Sequence, residues 1–338
     1  MRGSIRGSGL TDLHREQAVV EPDVLPELTP GETLDAAVFN DKPLTPSRLA
    51  WRRFRRHKLA LISAVILLVV ILLAVFAPLL TKFTPTESGT GLALKGPSST
   101  HPMGTDQIGR DVWTQVLYGG RVSLLVGIAV AVISTAFGTI VGSIAGFYGK
   151  WVDNLLMRVT DLFLAIPLLV ILIIGSRLPA RQHWAEVIMG NDKSIRAVVT
   201  ILTFFFWMPV ARVVRGLVLS LKEKEFVEAA RASGGSDARI IGLHLVPNCT
   251  GQIVVNTTLS VAAAILTESA LSFLGFGVDP VVTPTWGNLL NTGNDFQSIA
   301  PWMIWFPGLA IVVTVLCVNF LGDGLRDALD PKQAGLSA

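Results

Sequence analysis

Charge is scarce in this chain. Of its 338 residues only 16% are charged, where a soluble domain carries about a quarter. That deficit excludes a disordered polyelectrolyte and argues against an ordinary cytosolic enzyme. Cysteine is nearly absent: Cys249 and Cys317 cannot build a disulfide framework, and no Cys/His spacing matches a metal site. A formal net charge of +3 is too small to argue for a nucleic-acid partner. The chain also lacks a glycine-rich phosphate-binding loop ending in Gly-Lys-Ser/Thr, so it is not expected to hydrolyse ATP itself. With no His-Glu-x-x-His and no Gly-x-Ser-x-Gly, a membrane protease or hydrolase has neither metal set nor nucleophile.

What is abundant is hydrocarbon. The hydrophobic class makes up 51% of the residues and the mean hydropathy is +0.55. A membrane-spanning helix needs about 20 mostly apolar residues. Six segments qualify, at about 59–80, 122–148, 157–176, 197–219, 253–276 and 299–322, which predicts an all-α membrane protein. Residues 1–47 are polar, with Glu21-Pro22-Asp23-Val24-Leu25-Pro26-Glu27 at their centre. Such a stretch reads as a flexible tail, and lacks the extreme N-terminal basic and apolar regions of a cleaved signal peptide. The short tail 333–338 closes the chain after a membrane domain at 48–332.

Arg48, Arg52, Arg53, Arg55, Arg56 and Lys58 crowd the entrance to the first span. Under the positive-inside rule they place the N-terminus in the cytoplasm, and six spans return the C-terminus there. In the second span Ser134, Gly138, Gly142 and Gly146 recur every four residues, a pattern that lets two helix backbones approach closely. Pro167, Pro209 and Pro307 fall inside or at the edge of spans and are expected to kink them.

Between the fourth and fifth spans, residues 220–248 hold a helix-forming stretch, Glu225 to Ala232, closed by Gly234-Gly235. Ser236 is a suitable N-cap for a second short helix running to Pro247, with Ile240, Ile241 and Leu245 on neighbouring faces. From these residues alone the stretch is either a docking element or a solvated connector on the membrane surface.

Glu228-Ala229-Ala230, then Gly234, then Pro247 thirteen positions on, resembles the EAA motif of ABC-importer permeases. His244 before an apolar pair and Pro247-Asn248 narrows the likeness to the peptide branch. Further segments are similar to C-type permeases of the dipeptide/oligopeptide/nickel group. They include His101-Pro102-Met103-Gly104-Thr105-Asp106, Tyr118-Gly119-Gly120-Arg121, Glu268-Ser269-Ala270-Leu271-Ser272-Phe273-Leu274-Gly275 and Pro284-Thr285-Trp286-Gly287-Asn288. The resemblance covers about 48–332. It implies the type I ABC-importer permease fold in a bacterial inner membrane. It also implies a sister B-type permease, two ABC ATPase subunits that use ATP and Mg, and an extracytoplasmic substrate-binding protein. No cofactor or metal would be bound by the chain itself. Glu228, Ala229, Ala230, Gly234, His244 and Pro247 would then contact the ATPase. Di- or oligopeptide is the implied cargo, with nickel-chelate or glutathione as the alternative. An ion-driven secondary transporter is a rival class, but it needs coupled intramembrane charges, and the spans offer mainly Glu268.

Asn256, Ser260, Thr267 and Glu268 fall near one face of the fifth span; they line a passage or make interhelical hydrogen bonds. Asp106, Arg110 and Asp111 in the first external loop form a charge-assisted brace or contact the binding protein. Asp153, Arg158 and Asp161 flank the turn between the second and third spans and are expected to pair with one another.

Overall fold

The computed structural model describes residues 46–175, 193–280 and 283–329. The two predicted tails, apart from residues 46 and 47, and the end of the third predicted span lie outside them. The described part is all helix but for loops and one isolated bridge between Thr105 and Asp111. The helices are α1 (Pro46–Phe54), α2 (Lys58–Val75), α3 (Ala77–Leu80), α4 (Val112–Tyr148), α5 (Lys150–Leu164) and α6 (Leu168–Gly175). They continue with α7 (Lys193–Leu221), α8 (Glu225–Ala232), α9 (Asp237–Ile240), α10 (Val246–Phe273), α11 (Trp286–Asn294) and α12 (Trp302–Leu329).

Five continuous helical stretches are long and apolar enough to cross a bilayer, and a bent pair, α5 with α6, makes a sixth. That pair carries the kink expected of the third span. It turns by 80° at Pro167, whose ring and missing N–H forbid a continuous helix. The second span begins ten residues earlier than hydropathy alone suggests. Asp111 caps it, accepting from the Thr114 amide at 2.9 Å, and the polar residues Thr114, Gln115, Tyr118 and Arg121 hide its first turns from an apolar-run reading. At 37 residues it is about 55 Å long at 1.5 Å per residue, well beyond a hydrocarbon core of roughly 30 Å.

α4 is the central post, and its largest interface is with α7. The small-residue stripe makes that interface. A Cβ on Gly138 would come within 2.6 Å of the Trp207 carbonyl oxygen, and one on Gly146 within 2.9 Å of the Arg215 carbonyl oxygen. Around this seam Val126, Val130, Leu172, Leu202, Met208 and Leu271 pack into one buried cluster. A second cluster joins α2, α4, α10, α11 and α12 through Ala74, Val116, Ile265, Trp286 and Met303. α2 meets the bundle through Ala60, Ser63 and Ala74, while Leu61, Val65, Leu68 and Leu72 face outward, as a lipid-facing span should.

Asp153, Arg158 and Asp161 do not pair with one another. Asp153 takes a two-pronged contact from Arg215 and Asp161 one from Arg212, both on α7. The carboxylates thus fasten the amphipathic helix α5 to the end of α7, across the chain rather than within the turn.

Because lipid tails are as apolar as leucine, helix association in a bilayer rests on close packing rather than on hydrophobic burial. Gly142→Leu should therefore overpack the α4–α7 seam at a cost of about 1–3 kcal/mol. A lowered thermal-aggregation midpoint of the detergent-solubilised protein reads this out, and an unchanged midpoint would contradict the seam's role.

Candidate functional site

α8 stands at the end of the bundle where α4 and α7 finish. It begins four residues after α7 and ends in a tight reversal. Gly234 has φ of +77°, a conformation glycine adopts at little cost. The Gly235 amide donates to the Ala230 carbonyl at 3.0 Å and the Gly234 amide to Arg231 at 2.9 Å. This pair of bonds is the Schellman arrangement, which satisfies carbonyls orphaned at a helix end. Ser236 occupies the N-cap position of α9, but its side chain makes no capping bond.

The second short helix does not stop at Pro247. α9 passes through a π-helical turn, Ile241–Leu245, directly into α10, so Asp237–Phe273 forms one 37-residue rod. Pro247 lies in the first turn of α10 and has no N–H to give to the turn before it, which accounts for the wider turn at that point. The lower end of the fifth span is therefore part of the loop itself.

One side of this region is bolted down. Val227 and Leu245 are fully buried and Ile240 nearly so, in a cluster with Phe147, Val214, Val218 and Cys249. The Arg231 guanidinium lies 5.3 Å from the centre of the Phe147 ring, a cation–π contact. The Lys222 ammonium donates to the Gly146 carbonyl at 3.1 Å. The other side is bare. Phe226, Glu228, Ala229, Ala232, Gly234, Leu243 and Pro247 are exposed, while Ala230 and His244 are half-buried. Glu228 has no ion pair with Lys224 or Arg231 among the described residues, so it projects freely. Leu245 was legible in the sequence on one face of the second short helix, whereas the anchor Val227 was missed, although it is apolar in a stretch otherwise rich in charge and alanine.

At the other end of α4, the residues of the predicted external loop come together. The Asp106 carboxylate accepts from the Arg110 side chain at 2.7 Å, the Arg110 amide at 2.8 Å, the Ile108 amide at 3.0 Å and the Gln115 side chain at 3.1 Å. Asp111 does not join that pair. It caps α4 through one oxygen and meets His101 Nδ1 at 3.0 Å through the other. Asp106 and Asp111 are buried, and Trp302 of α12 donates to the Thr105 carbonyl at 3.1 Å. The loop is thereby tied to two helices.

Of the four α10 residues singled out in the sequence, Asn256, Ser260 and Thr267 are partly exposed and return hydrogen bonds to their own helix where any is made. Glu268 stands apart from them. It is fully buried and takes hydrogen bonds from Ser272 at 2.7 Å, Ser123 of α4 at 3.2 Å and Ser269 at 3.4 Å. Ser123 in turn accepts from the Trp286 amide at the start of α11 at 3.3 Å. A passage running along the outer face of α10 would touch the first three and not Glu268. The Glu268-Ser269 and Ser272 spacing was the available sign, since residues four apart share a helix face.

Two cavities among the described residues offer little to a polar solute. One of about 240 Å³ is lined by Val70, Leu73, Trp113, Leu117, Phe306 and Leu309 among others. The second, about 540 Å³, is lined by aliphatic side chains of α2 and α4 with Arg121 at its end. Neither holds the converging polar groups of a solute site.

With this geometry in hand, comparison with known proteins is informative. Residues 138–335 match the model of the binding-protein-dependent transport system inner membrane component family. Residues 45–97 match the N-terminal transmembrane domain of oligopeptide transport permease C. The chain is 42% identical over 291 residues to the dipeptide transport system permease protein DppC of Alkalihalophilus pseudofirmus, covering 86% of this chain and 91% of that protein. It is 38% identical to the oligopeptide transport system permease protein OppC of Bacillus subtilis, covering 88% and 93%. An inward-facing structure of the MetNI methionine ABC transporter overlaps 61% of this chain and 93% of its own, with a TM-score of 0.46 and 18% identity.

The hydroxyl cage predicts how Glu268 behaves. Glu268→Ala strands the Ser123 and Ser272 hydroxyls in a buried site and should cost about 1–3 kcal/mol, seen as a lower melting temperature of the purified assembly. Glu268→Gln keeps acceptor capacity and should recover most of it. Equal loss in both variants would mean the carboxamide cannot stand in, and that the cage is not what the residue supplies.

Proposed function

The chain belongs to the binding-protein-dependent transport system inner membrane component family, and from that premise we propose that it carries peptides. It is a permease subunit of an ABC importer in a bacterial inner membrane, not an enzyme. Hydrolysis of ATP belongs to partner ATPase subunits. In the proposed reading, the cargo is a di- or oligopeptide, and the passage forms between this chain and a sister B-type permease. An extracytoplasmic binding protein delivers the cargo to the end that holds Asp106, Arg110 and His101. The N- and C-termini face the cytoplasm, as the arginines ahead of α2 require under the positive-inside rule.

The observation that carries this is α8. Its back is bolted to α4, α7 and the foot of α10, and its front is a bare face of Glu228, Ala229 and Ala232. A helix held this way transmits a push. If ATP-driven closure of two ATPases moves α8, the motion enters α7 through its three-residue connection and α10 through an unbroken helical rod. The permease then contributes differential contacts in its inward- and outward-facing states, and nucleotide binding supplies the free energy. Small residues on the front admit close approach of a partner surface, and Glu228 supplies one fixed charge to orient it.

Peptide cargo is supported by the names of the relatives and by the polar, partly exposed set Asn256, Ser260 and Thr267. That set provides hydrogen-bonding groups that both apolar cavities lack. A nickel-chelate or glutathione importer would use the same lever with a different binding protein.

Glu228→Lys, or Gly234→Pro, should lower binding-protein-stimulated uptake in proteoliposomes by about tenfold or more, a loss of ~1.4 kcal/mol of coupling, while the protein stays in the membrane and ATPase activity persists. Undiminished coupled uptake would overturn the lever. Cysteines placed at 256, 260 and 267 should react with a membrane-impermeant thiol reagent, with Glu268→Cys protected. Protection at all four positions would remove the passage from this face. Mass spectrometry of the ligand held by the purified assembly reads the cargo directly, and a metal chelate there would replace the peptide assignment.

A further inference from the structure

The elbow ahead of the first span, α1 and its turn into α2, packs against the end of α12. Phe54 and Ala60 are buried against Leu321, Leu325 and Ala328 at the end of α12. His57 ties the same corner together. Its Nδ1 accepts from the Ala60 amide at 3.1 Å, opening α2, and its Nε2 lies 3.7 Å from the Asp327 carboxylate. With those contacts made, one aromatic and several basic side chains are left exposed. Trp51 is 61% exposed, and Arg48, Arg52, Arg55, Arg56 and Lys58 are all exposed. Arg48, Arg52 and Arg55 recur at helical spacing, so they share one face.

The position of this cationic face matters as much as its charge. Immediately past Lys58, the exposed residues Leu59, Leu61, Ile62 and Val65 begin the hydrocarbon-facing surface of α2. The cations therefore stand where the apolar surface stops, which is the level of lipid headgroups. Trp51 lies among them, its ring stacked 6.0 Å from that of Phe54; tryptophan favours the same interface because its ring is apolar and its N–H polar. Among the described residues, the acidic side chains of this corner, Asp323 and Asp327, belong to α12, and Asp327 faces His57. The outer face of the elbow is left with cations and an aromatic ring.

We propose that this elbow is a binding site for anionic phospholipid, with Arg52, Arg55 and Arg56 on the phosphates and Trp51 set into the acyl boundary. Guanidinium forks match phosphate oxygens in pairs, and a basic cluster beside a span attracts an anionic leaflet over a Debye length. The α12 contacts of Phe54, His57 and Ala60 hold the backbone that carries these arginines.

The test uses the complete assembled transporter. An environment-sensitive fluorophore is attached at Trp51→Cys, the two native cysteines being buried. The assembly is reconstituted in neutral phosphatidylcholine vesicles or in vesicles one-third phosphatidylglycerol. A blue-shifted emission is expected only with phosphatidylglycerol, reversed by about 1 M salt, where the Debye length falls to roughly 3 Å. Identical emission in both vesicles overturns the proposal. So does the same shift produced in neutral vesicles by inorganic phosphate, which would make a free anion the occupant. In parallel, mass spectrometry counts lipid retained by the unlabelled assembly. The variant Arg52→Gln/Arg55→Gln/Arg56→Gln, with Arg53 and Lys58 kept to preserve orientation, should retain at least one phosphatidylglycerol fewer. Equal retention overturns the site, and the fluorescence arm stands even if that variant assembles poorly.

Discussion

The close approach of α4 and α7 is the constraint on which the rest of the molecule depends. Two helix backbones can come this near only where Cβ atoms are missing or small, and Ser134, Gly138, Gly142 and Gly146 supply that surface over four turns. The seam sets where α7 ends. Arg212 and Arg215 then stand beside α5 and take up Asp161 and Asp153. Lys222 reaches back to Gly146, and α8 emerges against the Phe147 ring. A side chain in the seam would separate these partners together, because they all ride on one rigid pair of helices.

The short helix α8 is the converse case, in which contact on one side is what permits exposure on the other. A short charged helix has little stability by itself. α8 persists because Val227 is sunk in a cluster with Leu245 and Ile240, and because Gly234 and Gly235 close its last turn with two hydrogen bonds. Its outward face can then stay small and largely unpartnered. The continuity of α9 with α10 sharpens the mechanical picture: whatever moves the loop moves the foot of the fifth span with it.

At the opposite end, polar groups are enclosed rather than displayed. Asp106, Asp111 and Glu268 are each buried with several donors around them. Buried carboxylates are tolerable only when so supplied. Glu268 joins segments distant in sequence, α10 and α4, whereas Asp106 and Asp111 fasten the loop to the head of α4 that follows it. This end is a fixed frame, whereas the α8 end offers a free face.

The apolar runs, the four-residue stripe, the helix-closing glycines and the EAA motif were all legible in order along the chain. Each is a local property: a bilayer selects length and hydropathy, and a tight turn selects glycine. Helix ends were less legible, as at α4, because a buried polar turn looks like a loop until its partners are known. Pro167 announced a kink, though its 80° size came from packing. Partnership was not legible at all. Asp153 and Asp161 sit next to Arg158 in sequence yet bond to Arg215 and Arg212, and Glu268 turns from its polar neighbours into a cage of hydroxyls. Adjacency in the chain says nothing about which side chains a crossing helix brings within 3 Å. The sequence by itself determined the solvent, the number of spans and the family motif. Tertiary structure alone decided which charges are neutralised, which are enclosed and which are left to meet another molecule.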